Sequence, residues 1–135
     1  MTSKQSNPKD RLGIRKVPFH VIPSGVIGEL GLALLEGARK YGRHNWRTIG
    51  VVTSVYYDAA IRHLTAFWEG EDIDPDSGLP HIVKAMACLT VLRDAQIASM
   101  CEDNRPPRMS PEWQSDLNTK AAAIIDRYPT KDVLK

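Results

Sequence analysis

The chain has 135 residues, of which 42% are hydrophobic and 25% charged. These are ordinary globular values, at a length sufficient for one core without disulfide staples. A formal net charge of +2 is too small to argue for nucleic acid, and no apolar run reaches signal-peptide or membrane-spanning length.

Residues 1–22 are expected to be a polar tail, interrupted by Pro8 and Pro18, that gains order near Val17–Ile22, where a weak alternation hints at a strand. Ser24 reads as an N-cap, and Ile27, Leu30, Leu34 and Ala38 recur at helical steps up to Tyr41, where Gly42 is a stop. Residues 42–50, "GRHNWRTIG", are expected to form a loop. A second helix is predicted from about Val52 to Trp68, with Tyr56, Ala60, Ile61, Leu64, Phe67 and Trp68 on one broad face. A third opens near Pro80, an N1-type proline, and extends to about Ser99 on Ile82, Ala85, Met86, Leu89, Leu92 and Ile97. Ser110-Pro111 announces a fourth, carrying Trp113, Leu117, Ala121 and Ile124. The reading is all-α: a helical domain over 23–100, then a linker and C-terminal helix over 101–135 that is expected to pack on the bundle or on a neighbouring subunit. Cys88 and Cys101 lack metal-type spacing, which predicts free thiols in a reducing cytoplasm.

Between the second and third helices lies "GEDIDPDSGLPH", residues 70–81, with Glu71, Asp72, Asp74 and Asp76 followed by His81. A calcium hand needs acids at loop positions 1, 3 and 5, Gly at 6 and Glu at 12. Asp72, Asp74 and Asp76 meet the first three, but Ser77 and Val83 occupy the last two, so the hand is excluded. Asp76 is read as a cap for the third helix. Trp68 and Leu79-Pro80 are expected to pin the loop ends against apolar helices.

Other acids could share a site with this loop. Glu29 and Glu36 stand seven residues apart, on one helix face about 10 Å apart along the axis, beside Leu32 and Ala33, so that face is expected to be partly buried. Asp58, Arg62, Thr65 and Glu69 form a stripe that would serve equally as a solvated, salt-bridged face. His63 falls at the border of the apolar face. Lys40, Arg43 and Arg47, with Asn45 and Trp46, could supply phosphate and nucleobase contacts, although basic residues at a helix C-terminus also answer the dipole.

Taken in order, Gly37-Ala38-x-Lys40-Tyr41-Gly42, Asn45-Trp46, Arg62-His63, Gly70-Glu71-Asp72-x-Asp74-Pro75-x-Ser77-Gly78 and His81 resemble the phage-type dATP/dGTP diphosphohydrolases, MazZ-like relatives of the MazG pyrophosphohydrolases. The resemblance covers roughly residues 22–95. It implies a MazG-like all-α bundle, assembled as a homodimer or homotetramer. The implied enzyme uses Mg²⁺ or Mn²⁺ to split a purine (deoxy)nucleoside triphosphate, dGTP or GTP ahead of dATP, into the monophosphate and pyrophosphate. Lys84 stands where the family often carries a second histidine. Glu69-x-x-Asp72 and Glu71-x-x-Asp74 both match a MazG Glu-x-x-Asp element, and the choice stays open.

On that footing Glu36, Asp58, Glu71 and Asp72 are the expected metal carboxylates, and Glu29 or Asp74 would orient or deprotonate water. Lys40, Arg43 and Arg62 would offset phosphate charge, and His63 or His81 would hydrogen-bond phosphate or a metal-bound water. Asn45 would read a base edge beside the stacking wall of Trp46. The rival reading is a non-catalytic helical module that dimerises and binds a partner.

Overall fold

A computed structural model describes residues 7–129, and the chain divides after Asn104 into two units. Residues 1–6, part of the expected tail, lie outside the described residues. The rest of that tail is not unstructured. Asn7 caps a short helix α1, Pro8–Gly13, by accepting from the Lys9 backbone N–H at 2.8 Å, and Phe19–Val21 forms a 3₁₀ turn where a strand was expected. The three-residue turn closes through Ile22 N–H to the Phe19 carbonyl, a local bond that an isolated extended segment has no sheet partner to replace.

The first expected long helix is α2, Ser24–Tyr41. Its cap position is Pro23 with no side-chain cap bond, so Ser24 is the first helical residue and not the N-cap. The 42–50 segment is not all loop. A single-turn helix α3, Trp46–Ile49, forms within it. Next come a two-residue strand β1, Val51–Val52, and helix α4, Thr53–Trp68. Helix α5, His81–Ile97, begins one residue later than expected, with Pro80 as its cap and not its first residue.

The reading without strands needs one addition. β1 pairs in parallel with β2, Cys101–Glu102, in the register Val51↔Cys101 and Val52↔Glu102. Two residues per strand give no periodic signal, so only tertiary contact defines this pair. Two chain reversals make it possible. At the end of α5, Ser99 adopts φ +56°, while Met100 N–H bonds the Ala95 carbonyl and Ser99 N–H that of Gln96, a Schellman closure. Gly50 sits at φ +86°, and a Cβ there would lie 2.9 Å from the Met100 carbonyl oxygen. Thr53 Oγ1 then donates to the Glu102 carbonyl at 3.0 Å, and Ser54 N–H to Asn104 Oδ1 at 3.0 Å. The start of α4 is thereby stitched to the segment leaving α5.

α5 is the central element, packed against α4 and α2. Its buried apolar positions are small or β-branched: Val83, Ala85, Ala87, Val91 and Ala95, with Ala33 of α2 and Ala60 of α4 buried as well. Alanine contacts let helix axes approach closely and leave larger side chains outside the seam. Leu30, Leu34 and Leu79 pack around Ala33, Val83 and Ala87. The broad apolar face of α4 does not close within the described residues of the first unit: Ile61, Leu64 and Phe67 stay exposed, and Trp68 is 82% accessible. Trp68 therefore does not pin the acidic loop. The face shared by Glu29 and Glu36 is partly buried, as expected, but unevenly: Ala33 is buried and Glu36 half-buried, while Glu29 and Leu32 are exposed.

In the second unit, the helix announced by Ser110-Pro111 is α6, Trp113–Arg127. Its first turns are tightened by Ser115 Oγ donating to the Glu112 carbonyl and Thr119 Oγ to that of Ser115. Among the described residues both cysteines are free thiols.

Candidate active site

The acidic loop is a built structure. α4 ends in a second Schellman closure, with Gly70 at φ +102°, Glu71 N–H on the Ala66 carbonyl and Gly70 N–H on that of Phe67. The reversal delivers Glu71 toward the start of α5. Beyond it the loop bonds to itself, from Asp74 N–H to the Leu79 carbonyl (2.9 Å), Gly78 N–H to that of Asp74 (2.8 Å) and His81 N–H to that of Asp72 (2.9 Å). Asp74 is the organiser, only 8% accessible, accepting from the Asp76 N–H and the Ser77 hydroxyl at 3.0 Å each. Burial pushes its carboxyl up, but those two donors, with His63 and His81 nearby, outweigh it and hold the group below the ordinary value. Asp76 does not cap α5, which has no side-chain cap bond. The anion that holds the turn is Asp74, two residues earlier.

The loop is joined to the helices through two imidazoles. His81, 5% accessible, contacts Glu71 Oε1 through Nε2 at 2.6 Å and His63 Nδ1 through Nδ1 at 2.9 Å. An ionised carboxylate only accepts, so Nε2 of His81 carries a proton. In neutral His81, Nδ1 is then a lone pair, and His63 must donate from its own Nδ1. Neutral His63 consequently presents a lone pair at Nε2. Burial pushes the His63 imidazole below its ordinary value; His81, Lys84 and Arg62 act in the same sense, against Asp74. At neutral pH this favours the uncharged ring that the hydrogen-bond chain requires.

His81, Lys84 and Cys88 follow one another on α5 at steps of three and four and share a face. Lys84 Nζ donates to Glu36 Oε1 of α2 in a short contact, and Lys40 Nζ lies 3.9 Å from Glu36 Oε2. These three groups line a cavity of about 230 Å³ together with Tyr41, Asn45, Trp46 and Tyr56. Cys88 also lines it, but burial pushes its thiol up, so it stays protonated and is no ready nucleophile.

Trp46 separates that cavity from an apolar cleft of about 440 Å³, lined by Leu34, Leu35, Ala38, Arg43, His44 and Thr90. Charged groups border both: Glu36, Lys40 and Lys84 in the smaller cavity, Arg43, Arg47 and Asp94 in the larger cleft. The indole is fixed: Nε1 donates to Asp94 Oδ2 at 2.6 Å. Arg47 grips the same carboxylate with Nε at 2.7 Å and Nη2 at 2.9 Å, and His44 meets the indole edge-on at 5.6 Å. The Arg47 guanidinium, then the Trp46 indole, hold the Asp94 carboxyl well below the usual carboxylate range.

Of the residues singled out in the sequence, Glu36, Lys40, Asn45 and Trp46 therefore meet in one cavity, with Arg43 across the indole. Glu71, Asp74, His63 and His81 meet in the adjoining loop cluster. Asp72 is exposed in that loop, while Glu29, Asp58 and Arg62 lie on exposed helix surface. Glu36 meets Lys84 where contact with the acidic loop was expected. Among the described residues no three His, Cys, Asp or Glu side chains stand together as a metal cage. Sequence reasoning missed Asp94 as the anchor of α3 and gave Lys84 no partner. The available signal was charge inside an apolar helix: α5 carries only Lys84, Arg93 and Asp94 as charged residues in "HIVKAMACLTVLRDAQI".

No curated protein and no solved structure matches the chain significantly. Residues 6–105 do match the profile described as dATP/dGTP diphosphohydrolase, N-terminal. With the all-α fold and a carboxylate- and cation-lined cavity in place, the chain belongs to the dATP/dGTP diphosphohydrolase family.

Proposed function

We propose that this protein hydrolyses a purine (deoxy)nucleoside triphosphate, dGTP or GTP in first place, between the α- and β-phosphates, releasing the monophosphate and pyrophosphate in a reaction that requires Mg²⁺ or Mn²⁺. The observation that carries it is the cavity in which Lys40 and Lys84 meet Asn45 and the fixed face of Trp46. Cations beside an aromatic wall and an amide suit a phosphorylated base better than an apolar ligand.

The carboxylates of the acidic loop suit such an ion. Glu71 and Asp72 are exposed carboxylates on a loop held by its own hydrogen bonds. Mg²⁺ is commonly held by one or two carboxylates, the remaining positions going to water and substrate phosphates, so these two fit without a complete protein cage. When bound, the ion would neutralise phosphate charge and acidify a water. The chain's own groups do the rest: Lys40, and Arg43 across the indole, offset phosphate charge, Asn45 reads the base edge, and the Nε2 lone pair of His63 accepts a proton or hydrogen bond from water. Asp74, buried and held below the ordinary carboxylate value, keeps the loop in shape. Homo-oligomer formation belongs to the same proposal, supported by the exposed apolar residues of α2 and α4.

The deciding experiment incubates the protein with each of the eight common (d)NTPs and Mn²⁺ or Mg²⁺, and resolves monophosphate and pyrophosphate. Loss of dGTP or GTP with equimolar pyrophosphate is expected. If no nucleotide is consumed with either ion and none shifts the melting temperature, the protein is instead a helical interaction module.

A further inference from the structure

Glu36 was singled out as a metal ligand, yet its surroundings are cationic. One carboxylate oxygen takes the ammonium of Lys84 and the other faces that of Lys40 at 3.9 Å. With one carboxylate and two ammoniums, this corner of the cavity has a formal charge of +1, and it is only partly solvated: the Glu36 side chain is 25% accessible and that of Lys84 18%. A divalent cation at Glu36 would have to displace Lys84 and then sit beside two ammoniums. An anion meets the opposite situation, two cations already held on a common support.

We infer that the α2–α5 cavity is a phosphate subsite in which Lys84 and Lys40 contact the polyphosphate, and that Glu36 is a positioning residue for the two lysines, not a metal ligand. The inference rests on the triphosphate reading above, but it assigns a role to Lys84 and reassigns Glu36. The supporting geometry comes from opposite elements. Lys40 stands one turn after Glu36 on α2, where the pair is an i,i+4 contact. Lys84 reaches across from α5. Their ammoniums therefore approach the carboxylate from two sides and can share an anion seated above it. Tyr41, Asn45 and Tyr56 complete the wall with neutral donors.

The test is direct binding of inorganic tripolyphosphate to the full chain in EDTA, followed by the Mn²⁺ dependence of dGTP hydrolysis. Without metal the wild type is expected to bind tripolyphosphate, and K84M and K40M each to weaken it about tenfold or more, the scale of one charge-assisted contact. K84R should restore most of the loss. E36Q should weaken tripolyphosphate binding while leaving the Mn²⁺ concentration for half-maximal rate within about twofold. Thermal melts of each variant separate loss of fold from loss of subsite. Unchanged tripolyphosphate binding in K84M overturns the inference. So does an E36Q protein that keeps full tripolyphosphate affinity but needs about tenfold more Mn²⁺, the behaviour of a lost metal ligand. Because the first measurement involves no hydrolysis, a protein that binds tripolyphosphate through Lys84 yet consumes no nucleotide would retain the subsite and lose the enzymatic reading.

Discussion

Nδ1 of His63 and Nδ1 of His81 lie 2.9 Å apart, and a contact between these two nitrogens carries one proton. With Glu71 accepting from Nε2 of His81, that proton belongs to His63. The expected outcome in ¹⁵N-edited spectra at neutral pH is a protonated Nε2 for His81 and a protonated Nδ1 for His63. Glu71→Ala should remove the first assignment and scramble the second.

The same pair makes a prediction about pH. The imidazole of His63 is held below its ordinary value in the folded chain, chiefly by burial. The unfolded state thus binds more protons just below the model-peptide range of about 6.5, and stability rises with pH through that window. Melting temperatures measured from pH 5 to 7.5 should fall toward acid, and His63→Gln should flatten the slope. A slope unchanged by His63→Gln would assign the acid sensitivity elsewhere.

Asp94 makes a mutational prediction, because both Trp46 and Arg47 depend on it. Asp94→Ala should free α3 and let the indole wall move, lowering kcat/KM for dGTP by about 10–100-fold, the cost of mispositioning by an ångström or so. Trp46 fluorescence should shift with it. Asp94→Asn should keep part of the indole bond but lose the charged fork to Arg47, giving an intermediate loss.

Of the four carboxylates expected to hold metal, Glu71 and Asp72 are the two that the proposed function retains. Glu71→Gln and Asp72→Asn should each lower kcat by about a hundredfold or more if they share the ion with substrate, and excess Mn²⁺ should recover part of the rate. Variants with full turnover at limiting Mn²⁺ would remove both residues from metal binding.

Light scattering checks the assembly. A species heavier than the 15.1 kDa chain is expected, and Ile61→Asp, on the unclosed face of α4, should shift it toward monomer.

The long helices were legible because their periodicity is local: α2, α4 and α5 each begin within a residue or two of where spacing and stop residues put them. The loop's acids and the following histidine were legible as a cluster, but their division of labour was not. Asp74 and Asp76 are alike in sequence, and only the fold shows which is buried as the turn's acceptor. α3 was invisible for a related reason. One turn of helix has no period to read, and its support is a carboxylate almost fifty residues away in the chain. β1 and β2 depend likewise on contacts that exist only after α4 and α5 have met.

Gly50 carries a stability prediction from the same region. Gly50→Ala would put a Cβ 2.9 Å from the Met100 carbonyl at a positive φ, at a cost of about 1–3 kcal/mol, seen as a lower denaturant midpoint.

The self-bonded turn from Asp72 to His81 also bears on how the protein assembles. Its bonds close rings of only a few residues, so their entropic cost is small, whereas Glu36 and Lys84 must bring together distant parts of the chain. The helical hairpin of α4 and α5 can therefore acquire its acidic apex early, with α2 arriving as the last wall. In this order of events the α2–α5 cavity does not exist until the chain is nearly native, and a folding intermediate can display the loop carboxylates before Glu36, Lys40 and Lys84 have met.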